Sequence, residues 1–116
     1  MIMESKAIHR YIGSSPRKMR LVIDLIRGLP VDKAIEVLHF SPKHSSKTAE
    51  KVLRSATANL MNKDEATRHE ASDLFVKEAF VNQGPTLKRI SPAPMGRAYR
   101  IRKRSCHLTI VVSTKA

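Results

Sequence analysis

Arg100, Arg102 and Arg104 stand at every second position late in the chain. In an extended strand that spacing places three guanidinium groups on one face at a repeat of about 6.6 Å. Consecutive phosphates of a nucleic-acid strand lie about as far apart. Arginine suits such a row because its planar fork binds phosphate bidentately and also stacks on bases. The row belongs to a longer basic arm. From Ala79 to the C-terminus no acidic residue occurs, yet Lys88, Arg89, Arg97, Lys103 and Lys115 accompany the three arginines. Burying unpaired cations is far too costly, so this arm must face water or a polyanion.

A second basic cluster lies near the N-terminus. Ser15-Pro16 reads as an N-cap followed by proline at the first helical position, and Arg17, Lys18 and Arg20 follow directly. Cations in a first turn oppose the helix dipole by a few tenths of a kcal/mol. They make sense where free amides and basic side chains jointly receive a phosphate. Arg27 extends the same stripe past Asp24, and Lys6, His9 and Arg10 in the preceding segment extend the patch. The alternative is a solvated helix exterior.

Other chemistry is poorly supported. His9, His39, His44, His69 and His107 show no metal-ligand spacing with a cysteine or carboxylate. Cys106 is adjacent to His107, but neighbours in a strand point to opposite faces, so His107 cannot serve as its base; a structural thiol is expected. No phosphate-binding glycine loop or dinucleotide fingerprint occurs, so no catalytic residue, cofactor or metal is expected and the chain reads as not an enzyme. Five aromatics, Tyr11, Phe40, Phe75, Phe80 and Tyr99, are few for a protein that reads single strands by stacking. Four read as body residues, leaving Tyr99 as the one stacker, so recognition by shape and backbone is expected.

Composition sets the frame for these groups. The 116 residues carry 22 Lys and Arg against 10 Asp and Glu, a formal net charge of +12, and suit one domain spanning 1–116. Eight of the basic residues lie after Glu78, so a mildly basic body carries a strongly basic appendage, a balance that points to nucleic acid. No apolar run reaches the ~20 residues of a membrane span, and Met-Ile-Met-Glu-Ser-Lys is not followed by a signal-peptide core. One cysteine excludes an internal disulfide. A cytoplasmic protein without a membrane partner is expected.

The elements that position the basic groups follow from periodicity. A strand is expected from Ser5 to Ile12, where Lys6, Ile8, Arg10 and Ile12 alternate with Ala7, His9 and Tyr11. A helix from Ser15, with Leu21, Val22, Leu25 and Ile26 inward, closes at Gly28. A short helix from Val31 to Phe40 buries Val31, Ala34, Ile35 and Leu38. Ser41-Pro42 opens a longer helix with Ala49, Val52, Leu53, Ala56 and Leu60 on its apolar stripe. Asn62 to Ser72 reads as a loop, and Leu74 to Val81 and Ile101 to Val112 as strands. The class is α+β: three helices packed on a small antiparallel sheet of about three strands, with a long protruding β-hairpin at about 84–104. Each limb, ten residues long, reaches roughly 30 Å and turns near Pro92-Ala93-Pro94-Met95-Gly96. A two-stranded ribbon is marginal in water, so the arm is expected to be mobile alone and ordered by its partner.

Several motifs resemble a known family. The run Ser-Pro-Arg-Lys-Met-Arg-Leu-Val-Ile-Asp-Leu-Ile-Arg-Gly at 15–28 resembles the first-helix signature of the large-subunit ribosomal protein twenty-two family. Lys-Val-Leu-Arg-Ser-Ala-Thr-Ala-Asn at 51–59 is similar to its long-helix motif. Residues 81–90, 96–98 and 101–112 resemble its hairpin and closing strand. The resemblance runs nearly end to end and looks bacterial in type. It implies a monomer within the ribosome whose partners are large-subunit ribosomal RNA, neighbouring large-subunit proteins and the nascent polypeptide. It also implies that the hairpin threads the RNA, lines the peptide exit tunnel and helps assembly. By motif position Lys88 and Arg89 sit on the outgoing limb and Ser91, Pro92, Ala93, Pro94, Met95 and Gly96 at the tunnel-facing tip. Arg97, Tyr99, Arg100, Arg102, Lys103 and Arg104 sit on the return. The rivals from the residues alone are an architectural DNA-binding protein with a proline-tipped ribbon and an RNA-processing enzyme, for which no convergent acid and base occur.

Overall fold

The chain was described from a computed structural model, which defines residues 4–63, 73–92 and 94–114. The order is β1 (Glu4–Ile12), α1 (Pro16–Ile23), α2 (Val31–His39), α3 (His44–Lys63), β2 (Leu74–Gln83), β3 (Leu87–Pro92), β4 (Ala98–Lys103) and β5 (Cys106–Thr114). Two antiparallel sheets result: β1-β5-β2, and a separate ribbon β3-β4. The expected α+β class and its three helices are present.

β5 is the central strand because its sequence supplies one unbroken apolar face. Cys106, Leu108, Ile110 and Val112 are all buried against the helices. Ile110 lies between Ala7 of β1 and Ala79 of β2, a large residue flanked by small ones that leaves room for α3. That helix brings Ala49, Val52, Leu53, Ala56 and Leu60 to the core, the stripe expected from its sequence. Its three buried hydroxyls all have partners: Thr57 donates to the Leu53 carbonyl at 2.9 Å, Ser46 donates to the Lys43 carbonyl, and Ser45 Oγ lies 3.4 Å from Ser14 Oγ.

Several sequence expectations are corrected. α1 stops at Ile23, not Gly28, and buries Met19, Val22 and Ile23, with Ile26 following in the turn. Leu21 and Leu25 instead point outward, because the set at 19, 22, 23 and 26 already fills the inward stripe. Residues 24–28 form tight turns, with Leu25 and Ile26 donating to carbonyls three residues back, and Gly28 ends them at φ +84. α3 begins at His44 rather than at the Ser41-Pro42 pair, since Ser41 forms a local turn with Lys43 instead. α3 also continues through Asn62 and Lys63, so the expected loop is shorter at its start; its remainder, 64–72, lies outside the described residues. In β1 the alternation breaks at a register shift between His9 and Ile12. Ala7 and Ile12 are buried there, while Ile8 is exposed on the opposite face. Tyr11, at φ 58, absorbs the shift.

The last expected strand is two strands. The chain runs from β4 through Arg104 and Ser105 into β5, so the ribbon is a sheet of its own. Gly84 N–H donates to the Ser105 carbonyl at 2.9 Å and the Ser105 hydroxyl donates to the Pro85 carbonyl at 2.6 Å. These bonds tie the two limbs at the root. A Cβ on Gly84 would stand 2.6 Å from Ser105 Oγ, which explains glycine there. The paired ladder has six residues per limb, about 20 Å, shorter than the ten expected. At the tip Met95 and Gly96 both have positive φ (63 and 72) and Arg97 N–H faces the Pro94 carbonyl. That pattern is the primed turn whose twist suits a hairpin. The radius of gyration is 17.5 Å and the extents 66 × 24 × 17 Å, against about 13 Å expected for a compact chain of about 100 residues. The excess is the ribbon.

Because Leu108 is fully buried at the centre of the sheet, Leu108→Ala should cost about 2–5 kcal/mol. Leu87→Ala, in the exposed ribbon, should change stability by less than about 0.5 kcal/mol. Urea melts with an unchanged slope check both; a neutral Leu108→Ala would refute this account of the core.

Candidate nucleic-acid interface

The ribbon presents its cations on both faces. Register pairs Lys88 with Arg102, Ile90 with Arg100, Arg89 with Ile101, Leu87 with Lys103 and Ser91 with Tyr99. Lys88, Arg100 and Arg102 thus share one face, and Arg89 and Lys103 the other. Arg104 lies beyond the end of β4, so the alternate row expected from the sequence is two arginines in the strand plus one at its root. Lys88 directly opposite Arg102 is a like-charge pair, which weakens a ladder. Every residue of β4 is exposed, so no burial offsets that cost.

Ion pairing does not neutralise these groups. Among the described residues the pairs are Arg27–Asp24, His39–Glu50, Arg54–Glu50 and Lys77–Glu4, and none includes a ribbon cation. Glu50, between the His39 ring and the Arg54 guanidinium, has its carboxyl held below the ordinary carboxylate range chiefly by the hydrogen bond from Arg54. Glu4, Asp24 and Glu50 are therefore engaged with the body's own bases.

The basic residues of the body divide into groups. Ser15 caps α1 by accepting from Lys18 N–H, and Arg17 and Lys18 stand exposed on its first turn. Arg20 and Arg27 do different work from that expected. Arg20 Nη2 donates to the Val81 carbonyl at 3.0 Å. Arg27 donates through Nε and Nη2 to the Ala79 carbonyl, at 3.1 and 2.6 Å, and through Nη1 to Asp24 at 2.9 Å. With Gly28 N–H bonded to the Val76 carbonyl and Val76 N–H to the Leu29 carbonyl, these arginines cover the free edge of β2. An open edge strand is a liability, and long side chains from α1 close this one. Lys6 is also separated from its expected neighbours. It lies on the outer face of the sheet in a cavity shared with Glu4, Glu78 and Lys63, whereas His9 pairs with Leu108 on the helix-covered face. Lys6, His9 and Arg10 do not form one patch.

The aromatic expectation is also revised. Tyr99 is exposed, but so are Tyr11 (70%) and Phe40 (80%). Phe40 caps α2 past its Val31, Ala34 and Leu38 stripe, and Tyr11 is turned out by its left-handed backbone. Tyr11 N–H donates to His107 Nδ1 at 3.0 Å and the two rings meet edge-on at 5.0 Å, which holds the strained position. Periodicity cannot reveal a bulge, so Tyr11 could not be assigned from sequence. Phe40, expected as a body residue within the helix, stands instead at its C-cap and outside the apolar stripe. Of the expected tip, Met95 is the most exposed apolar residue at 95%, and Ala93 lies outside the described residues.

Cys106 is buried, and burial pushes its thiol up from the ordinary cysteine value, the state of an inert structural thiol. Among the described residues no three His, Cys, Asp or Glu groups converge to hold a metal. No described helix is long and apolar enough to cross a membrane. Fold and site together define an α+β body that carries an exposed basic ribbon.

The comparisons with known proteins specify it further. The family model described as ribosomal protein L22p/L17e matches residues 7–113. The large ribosomal subunit protein uL22 of Chlorobium phaeobacteroides is 55% identical over 112 residues, covering 97% of this chain and 96% of its own. That of Chlorobaculum tepidum is 56% identical over 110 residues (95% and 92%), and that of Bacteroides fragilis is 53% identical over 105 (90% and 76%). The chain belongs to the L22 family of large-subunit ribosomal proteins, and is a structural constituent, not an enzyme.

If Arg27 closes the edge of β2, Arg27→Gln should lower stability by about 1 kcal/mol, discounted for its exposure. Arg17→Gln should be neutral. Thermal unfolding of the two variants distinguishes them, and equal midpoints would remove the bracing role.

Proposed function

We propose that the protein is built into the large ribosomal subunit by phosphate contacts from its ribbon to ribosomal RNA. The ribbon would extend along the wall of the peptide exit tunnel and help fold the surrounding RNA during assembly. One observation carries this reading: a two-stranded ribbon with cations on both faces, Lys88 opposed to Arg102, and no carboxylate partner among the described residues. Such a ribbon has no internal reason to stay straight. RNA supplies one, by placing phosphate against each cation and excluding the like-charge repulsion that the ladder otherwise bears.

The contact set on this reading is Lys88, Arg89, Arg97, Tyr99, Arg100, Arg102, Lys103 and Arg104, joined by Arg17 and Lys18 at the start of α1 and by His9 and Arg10. Arg20 and Arg27 are taken up by the sheet-edge carbonyls of Val81 and Ala79, and Lys6 lies on the outer face of the sheet in a cavity shared with Glu4 and Glu78. Tyr99, Tyr11 and Phe40 offer flat surfaces for unstacked bases. Neighbouring large-subunit proteins and the nascent chain are the remaining partners, the latter at the exposed tip around Met95.

Two experiments test this. Binding to a large-subunit ribosomal RNA transcript should weaken linearly in log–log with salt. Arg100→Ala, Arg102→Ala and Arg104→Ala should each reduce that slope by about 0.7–0.9, and an unchanged slope in the triple variant would exclude phosphate contact by these residues. In the free protein, ladder amides of β3 and β4 should exchange far faster than those of β5. Protection of the ribbon equal to that of β5 without RNA would contradict the partner-ordered account.

A further inference from the structure

At the root of the ribbon a cavity of about 390 Å³ is lined by Ser14, Lys18, His44, Ser45, Lys103 and Arg104, among others, with no carboxylate in its wall. Three segments distant in sequence meet there: the start of α1, the start of α3, and the end of β4 where the ribbon leaves the body. Among the described residues the side-chain nitrogens of Lys18, His44, Lys103 and Arg104 have no hydrogen-bond or ion-pair partner. The two serine hydroxyls lie 3.4 Å apart, offering donors between the cations. Neither α1 nor α3 carries an acidic residue in its first turn, so nothing offsets the positive helix ends. The cavity around Lys6 differs, because its wall holds Glu4 and Glu78 as well as Lys6 and Lys63. The cavity at the ribbon root has basic residues and hydroxyls but no acid.

We infer that this cavity binds one phosphodiester of the RNA, and that occupancy clamps the ribbon root to the body. Lys18 and His44 come from the body and Lys103 and Arg104 from the ribbon. A phosphate held by both sets joins elements that share no other strong contact. Its two non-bridging oxygens, each accepting more than one hydrogen bond, can take donors from lysine, imidazole, guanidinium and hydroxyl together. The neighbouring tie, Gly84 N–H to the Ser105 carbonyl, is one residue from Arg104 and would be stabilised with it. Ribbon order would thus be set from two places, along the ladder by successive phosphates and at the root by this one. The inference rests on the RNA-binding reading above and assigns one of its contacts to a built pocket.

The test uses the isotope-labelled full-length chain titrated with inorganic phosphate at constant ionic strength, with chloride as reference. Saturable shifts should be confined to amides lining the cavity, and exchange of the Gly84 amide should slow on saturation. In a Lys103→Gln/Arg104→Gln variant, and separately in His44→Gln, phosphate affinity should fall by at least about tenfold, the loss of one charge-assisted contact. Unchanged β5 amide signals would establish that both variants are folded. Non-saturating shifts, or shifts equal to those with chloride, would overturn the site; saturable shifts with unaltered Gly84 exchange would overturn the clamp. An RNA arm separates this from the broader reading. A flattened salt slope in Arg100→Ala/Arg102→Ala with no change in Lys18→Gln/His44→Gln would sink the pocket and leave RNA binding standing. No change in either would sink RNA binding, and the pocket's ligand with it.

Discussion

The hydrogen bonding of β5 on both of its edges is the interaction on which the remaining structure depends. The strand runs between β1 and β2 and shows the helices an unbroken row of Cys106, Leu108, Ile110 and Val112. It is also continuous, through Arg104 and Ser105, with the returning limb of the ribbon. One segment therefore anchors the core and aims the arm. A projecting pair of strands has no burial to fix its direction; here the direction is inherited from the most buried strand in the molecule. The root tie between Gly84 and Ser105 transmits it to the other limb.

Charge is segregated along the same path. Within the body three acids find bases: Glu4 with Lys77, Asp24 with Arg27, Glu50 with both His39 and Arg54. Exposed pairs of this kind add little stability each, but they remove carboxylates that might otherwise compete for the arm. Beyond Glu78 the chain has no acid at all. The ribbon thus has no partner of its own sequence, and its cations keep their full attraction for an external polyanion at the expense of the ribbon's own stability. A binding element drawn from the least stable part of the fold is consistent with the general gradient of local stability in proteins.

Much of this was legible in the residues, and the exceptions have physical causes. The inward stripe of α3, the core face of β5 and the basic arm all follow from period and composition, because one face or one sign of charge is maintained over many residues. α1 was harder: nearly every residue from Met19 to Ile26 is apolar except Arg20 and Asp24, so two inward stripes compete and tertiary packing decides for Met19, Val22, Ile23 and Ile26. The bulge at Tyr11 leaves no trace in hydropathy, and it brings Ile12 onto the buried face of Ala7, away from the face of Lys6 and Ile8. The split of the last strand at Arg104-Ser105 was hidden because alternation continues across it. The match to the family came from motif strings, which preserve the hairpin residues without saying how the sheet divides.

Arg20 and Arg27 show why residue type alone could not assign the interface. Both are arginines on the exposed side of a short helix, and by composition they are indistinguishable from Arg17. What separates them is the neighbouring edge of β2, whose Ala79 and Val81 carbonyls point outward two residues apart. A guanidinium donates well to a carbonyl and to a phosphate alike, so its role is decided by which acceptor is within reach in the folded chain. On α1 the acceptor is the protein's own backbone. Along the ribbon the backbone groups facing inward are used by the ladder; Arg89 reaches only the neighbouring Lys88 carbonyl, at 3.1 Å, and among the described residues Arg100 and Arg102 have no acceptor, so their guanidinium groups face solvent. The same chemistry thus closes an edge in the body and, a few tens of ångströms away, holds an unsatisfied face open.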